Sequence, residues 1–354
     1  MFVLSIIRKK MYKILLIFPL CILSGCVKDT DISSGMSTGE ITSTSEVQSV
    51  ADASSEENSV WSPDSLKKGM VTVVEYDEAY NTYIASEKAA RQAIVDYGVL
   101  QRQNYSNPEV EQIELRMEQN YAILAVNLGE MDLETAKDVN AAFAYMYETY
   151  PQLQGTLTNI TIGNLENFGD TALTRTKEFI INGESGNCPF VIKREIILGA
   201  AKFLKRDQML KTCEEQVSIG HWPVNSNISS IVVHELGHHL LDVYTAEKFG
   251  FAGCYVTEEN ADAYWKYYSD SLKVNQTVPR EILQTAYELW IKKCGYEGSL
   301  EDFQASISGY ARGLQPDGGI SYSETVAEAV ADVYLNGEQA ADASRLIVEI
   351  FLES

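Results

Sequence analysis

From residue 75 to 150, apolar side chains return every three or four positions, the period of helices with one buried face. Tyr76, Tyr80, Tyr83 and Ile84 set that spacing. Asn107-Pro108 interrupts it, and the pattern restarts at Glu109. A third helical segment runs from Leu133 to Tyr150, with Asp132 placed to cap it and Pro151 to stop it. Tyr145, Tyr147 and Tyr150 on that segment read as packing rather than as a binding stripe. Beyond 151 the period changes to two. Thr156–Gly163 alternates and is β-branched, and Glu178–Asn182 and Glu195–Leu198 read as two more strands. Phe203–Val217 is charged and helical. The turn-rich loop His221–Asn227 then leads into an apolar helix over Ile231–Asp242, with Ser226 or Asn227 as its cap. The pattern predicts an α+β fold, mainly helical, with a small sheet ahead of a central helix. A helical region over 61–150 precedes a domain over 151–354.

The polar residues of that central helix carry the chemistry. The chain has 4 His in 354 residues, and three of them are His234, His238 and His239. His234-Glu235-x-x-His238 places two imidazoles one turn apart on one helix face, aimed at a point about 2 Å from each ring nitrogen, as zinc requires. Glu235 follows the first His and can take a proton from a water on such a metal. Gly237 leaves room for a second backbone to approach. His239 faces away from the pair and reads as structural or solvated. His221, in the loop before the helix, either touches substrate or is simply hydrogen-bonded.

The first 60 residues are of another kind. Arg8, Lys9, Lys10 and Lys13 precede an apolar run, Ile14–Leu23, too short for a permanent membrane helix. It ends Leu23-Ser24-Gly25-Cys26, which is similar to a bacterial lipobox. That implies a signal peptide over 1–25, cleavage before Cys26, and a lipid anchor on its thiol at the outer face of the cell membrane. Met11 is an alternative start. Residues 26–60 are rich in Ser, Thr, Glu and Asp and read as a flexible tether.

The formal charge is −22, and about −26 once the four basic residues of the leader are removed. Such a surface excludes nucleic acid as a partner, which needs a basic face. Beyond the leader and Cys26 there remain Cys188, Cys213, Cys254 and Cys294. An even number in an exported chain predicts disulfides, and the local pairings Cys188–Cys213 and Cys254–Cys294 are favoured over free thiols.

Two His leave a catalytic zinc site incomplete; a third protein ligand and an open position are needed. Glu258, Glu324 and Glu328 are the candidates. Glu258 begins Glu258-Glu-Asn-Ala-Asp262, similar in spacing to thermolysin-like proteases. Ser308-Gly-Tyr310-Ala-Arg312 followed by Glu324-Thr-Val-Ala-Glu328-Ala-Val330 resembles the end of the anthrax lethal factor-like metallopeptidases. The lead-in His221-Trp222-Pro223 also looks like that of phage- and toxin-associated zincins. The resemblance covers about 190–335. It implies a zincin-like metallopeptidase domain with Glu324 as third ligand, Tyr310 facing the scissile carbonyl, and Glu328 orienting a ligand His. Asp242, one turn beyond His238, either hydrogen-bonds within the site or caps charge on the helix. The chain differs from the family in the long segment Tyr244–Ser306 between His238 and Glu324, and in a Gly-rich loop between Tyr310 and Glu324. A zincin sheet offers an edge strand to an extended substrate, and Ile196-Ile197-Leu198 is the candidate edge.

The expected function is a monomeric, lipid-anchored zinc endopeptidase with one Zn2+ per chain, acting on protein or peptide substrates. The same chemistry serves a non-protein amide such as a cell-wall cross-link. The alternative is a non-catalytic surface-binding lipoprotein with a degenerate or structural zinc site.

Overall fold

A computed structural model describes residues 91–92, 94–96, 98–99, 102, 107–165, 171–180, 190–251, 253–271, 276–314 and 320–352. The leader over 1–25, the tether over 26–60, Cys26 and Cys188 lie outside the described residues. Among the described residues no helix is long and apolar enough to cross a membrane.

Helix α1 spans Pro108–Tyr121; the side chain of Asn107 accepts from the Val110 amide, and Pro108 opens the first turn. A short strand, β1 (Ala125–Asn127), leads to α2 (Leu133–Thr149), capped by Asp132 on the Thr135 amide. Strands β2 (Asn159–Gly163), β3 (Ala172–Ile180) and β4 (Phe190–Gly199) follow, then α3 (Ala200–Phe203) and α4 (Arg206–Ser218). The long helix α5 covers Ile228–Lys248. After it come β5 (Tyr255–Val256), α6 (Ala261–Ser271), α7 (Thr277–Cys294), α8 (Leu300–Ala305), a 3-10 turn at Tyr310–Arg312, α9 (Tyr322–Asn336) and α10 (Asp342–Leu352).

The sheet is small and mixed. Its order is β1-β2-β4-β3; β1, β2 and β4 run parallel, β3 is antiparallel to β4, and β5 also pairs with β4. Two sequence expectations change here. Ile196–Leu198 belongs to β4, which has β3 along one side and β2 along the other. It is an interior strand, and the edge beside α5 is β3. The region read as wholly helical contains β1, whose Ala125 pairs with Asn159 in β2. Val126 and the apolar faces of α1 and α2 share one hydrophobic cluster with Ile196, Leu198 and α5.

One face of the sheet packs on α5 through Ile160, Ile162, Ile196 and Leu198. The opposite face mixes Leu173 and Ile197 with a buried charge cluster. There Glu195 meets Arg175 and Lys193, each at 2.5 Å, and accepts from Asn159. Burial pushes the Glu195 carboxyl up, but the two cations win and hold it down to about 2.

Cys213, Cys254 and Cys294 are free thiols, so the expected Cys254–Cys294 bond is not formed, and the expected partner of Cys213, Cys188, lies outside the described residues. Cys254 is buried beside Phe251 and Tyr264, whereas Cys294 is exposed at the end of α7, so the two are on separate parts of the fold. Cys213 is buried in α4, where desolvation pushes its thiol up to about 11.

Candidate metal centre

Helix α5 starts with a reciprocal cap: the Asn227 side chain accepts from the Ser230 amide, and the Ser230 hydroxyl accepts from the Asn227 amide. From there α5 runs through the core, with α2, α9 and β3 packed around it. Its closest neighbour is α9, which runs antiparallel. His234 meets Glu328, Gly237 meets Ala327 and His238 meets Glu324. The long segment between His238 and Glu324 is taken up largely by α6, α7 and α8.

The antiparallel pairing brings three ligand-type atoms together. The Nε2 atoms of His234 and His238 are 3.1 Å apart, and Glu324 Oε2 lies 3.4 and 3.3 Å from them. Ligand atoms of a tetrahedral ion bound at about 2.0 Å stand about 3.3 Å from one another, so the triangle has the size of one face of such a site. Glu324 is completely buried, and neither of its oxygens accepts a hydrogen bond. A buried carboxylate is normally satisfied, so these oxygens facing two imidazoles suit the binding of a cation. Burial raises its carboxyl, but His238 and His234 outweigh this and hold it well below the usual carboxylate range. Among the described residues, His234, His238 and Glu324 are a buried group able to hold a metal ion. Glu258 is exposed and takes no part in that group.

Around the triangle, Glu328 Oε1 is 2.8 Å from His234 Nδ1, and its Oε2 accepts from Ser308 Oγ at 2.6 Å. The carboxylate therefore fixes which His234 nitrogen carries hydrogen and turns Nε2 toward the centre. Ser308 also accepts from the Ala311 amide, tying the Tyr310 turn to Glu328. The Tyr310 ring lies 5.8 Å from that of His234 and 5.3 Å from that of His221. The backbone holds this arrangement: the Gly309 amide donates to Gly220 O and the Tyr310 amide to His221 O. His221 is half-buried, and burial holds it below the usual histidine range. A small cavity of about 20 Å³ lies beside the centre, between Trp222, Ile231, Ala331 and Tyr310, with room for one water-sized group.

Glu235 is completely buried, and its Oε2 accepts from Thr174 Oγ1 of β3 at 2.7 Å. Nothing in the local sequence pattern singled out Thr174; only the packing of β3 on α5 reveals it.

Two other polar residues of α5 face elsewhere. His239 is buried, with Nε2 2.8 Å from Thr156 Oγ1, and desolvation pushes it down to about 4, so it is a neutral packing residue. Asp242 is expected either to hydrogen-bond within the site or to cap charge on the helix. Its carboxylate instead accepts from Arg194 Nε at 2.7 Å and from the Tyr267 hydroxyl. Arg194 comes from β4 and also donates to Gly253 O. Asp242 thus neutralises a buried cation under the helix.

No family model matches the chain, and no curated protein or solved structure matches it.

Proposed function

We propose that the protein is a zinc-dependent peptidase whose metal is held by His234, His238 and Glu324. The observation that carries this reading is the triangle of donor atoms 3.1 to 3.4 Å apart around an unsatisfied, fully buried Glu324. Two neutral imidazoles and one carboxylate are a donor set suited to zinc, and three protein ligands leave a position for water or substrate. The zincin resemblance supports the same assignment, since it chose Glu324 by motif alone.

Zinc bound there supplies a Lewis acid that activates water and polarises a carbonyl. Glu235, adjacent in sequence to His234, accepts the proton of the attacking water and passes it to the leaving amine. Tyr310 donates its hydroxyl hydrogen to the oxygen that gains charge as the peptide carbonyl is attacked. Glu328 keeps His234 in the tautomer that binds metal through Nε2. The edge strand β3 offers backbone groups to an extended peptide. The leader and Cys26 support secretion and lipid anchoring at the outer face of a bacterial membrane, with peptide or protein as substrate.

The test is the metal content of the purified protein. One zinc per chain, lost in Glu324→Gln and kept in Glu258→Gln, is the expected result, together with peptide hydrolysis that Glu235→Gln abolishes. An unmutated protein that takes up no supplied zinc overturns the reading.

A further inference from the structure

The edge strand β3 does more than border the centre. Its Thr174 lies on the α5 face of the sheet, opposite Ile196 of β4. The Thr174 hydroxyl reaches two acceptors on one residue: Glu235 Oε2 at 2.7 Å and the Glu235 carbonyl at 3.0 Å. A hydroxyl has a single hydrogen to give. The carboxylate oxygen is the nearer acceptor, and 2.7 Å is the length expected of a hydroxyl donating to a charged oxygen. Both partners are buried, so water does not compete for this bond. Thr is also stiff about χ1, so the strand itself sets where the hydroxyl points.

We propose that Thr174 is a positioning residue for Glu235, holding the base carboxylate in place by a hydrogen bond from the edge strand. The inference rests on the peptidase reading. A glutamate side chain has several rotatable bonds, and proton transfer requires its oxygen within hydrogen-bond reach of the water. The Thr174 bond selects one rotamer before substrate arrives. It also joins the base to the strand on which a peptide would lie, so the two are fixed relative to each other.

The experiment compares the zinc-loaded full protein with Thr174→Val and Thr174→Ser, first by crystallography, which needs no substrate. In Thr174→Val the Glu235 carboxylate is expected to leave its position or split between conformers, and in Thr174→Ser to return to it. Kinetics should follow: kcat lower by about 10- to 100-fold in the Val variant, with KM and zinc content held, and recovery in the Ser variant. Thr174→Ala replaces the Val variant if that chain does not fold. An unmoved carboxylate in the variant lacking the hydroxyl overturns the proposal, as does a Ser variant as impaired as Val at full zinc content. Failure of the peptidase reading is seen separately, as an unmutated protein without zinc or without hydrolysis, while the crystal comparison still judges the bond.

Discussion

A Cβ placed on Gly237 would stand 2.9 Å from the Cα of Ala327 and 3.4 Å from its carbonyl oxygen. The contact is backbone against side chain, on two buried helices, and neither atom can swing aside. Helix propensity favours Gly237→Ala by about 1 kcal/mol. Overpacking costs about 1 to 3 kcal/mol and forces α9 outward. Steric cost is expected to win: the urea midpoint should fall, and zinc affinity should fall with it, because Glu324 and Glu328 ride on α9. A more stable Gly237→Ala with full zinc affinity would show that the close approach is dispensable.

The bond between Glu328 and His234 Nδ1 makes a second, separable claim. Glu328→Gln keeps an acceptor of the same shape but removes its charge. Zinc affinity should weaken by about 10- to 100-fold, since carboxylates behind a ligand histidine raise its basicity. Ser308→Ala removes the donor to Glu328 and the acceptor for the Ala311 amide but leaves the Glu328 charge on His234, so it should cost less zinc affinity. Competition with a chromogenic chelator measures both; equal affinity across all three proteins counts against the relay.

Asp242→Asn should separate stability from metal binding. It leaves Arg194 as a buried cation with its principal charge partner gone, a change of about 3 to 5 kcal/mol in the usual case. The melting temperature should drop clearly while zinc stays at one per chain. Loss of zinc from a still-folded Asp242→Asn would return Asp242 to the site.

Glu114, on α1, gives a pH dependence of stability. Burial pushes its carboxyl up to about 7, against the pull of the Leu128 amide, which donates to it at 2.6 Å. The folded protein therefore holds a proton that the unfolded chain gives up near pH 4.5. Stability contributed by this group is full below about 4.5, declines as pH rises, and is gone above about 7. The span corresponds to about 3 kcal/mol at most. Glu114→Gln keeps the acceptor for Leu128 and should flatten the pH dependence of the urea midpoint between 4.5 and 7.

Much of the centre was legible because it is written in local patterns. The His234–His238 spacing, the Asn227 cap and the room beside Gly237 follow from helix geometry alone. Glu324 was reached by resemblance, and the antiparallel packing of α9 on α5 gives the physical reason it sits there. The remainder depended on pairings between distant segments. β1 is three residues long between two helices and has no period of its own to detect. β4 has the apolar run of a strand, but whether it lies inside or at the edge is decided by β2 and β3 together. The place of Asp242 on the helix leaves its partner open, and that partner, Arg194, comes from a strand 48 residues earlier. Sequence proximity of cysteines says nothing of burial, and Cys254 is buried while Cys294 is exposed.

Gly313 sits where no side chain fits. Its φ is +63, and a Cβ on it would stand 2.2 Å from Ser321 O; the Ser321 amide donates to Gly313 O, and Leu314 bridges Ile320. Gly313–Leu314 and Ile320–Ser321 are thus held together, with Tyr310 tied to His221 on one side and Glu324 within α9 on the other. A side chain at 313 would meet both a left-handed backbone and the Ser321 carbonyl, so even Gly313→Ala would push apart the turn that carries Tyr310 and the start of the helix that carries Glu324.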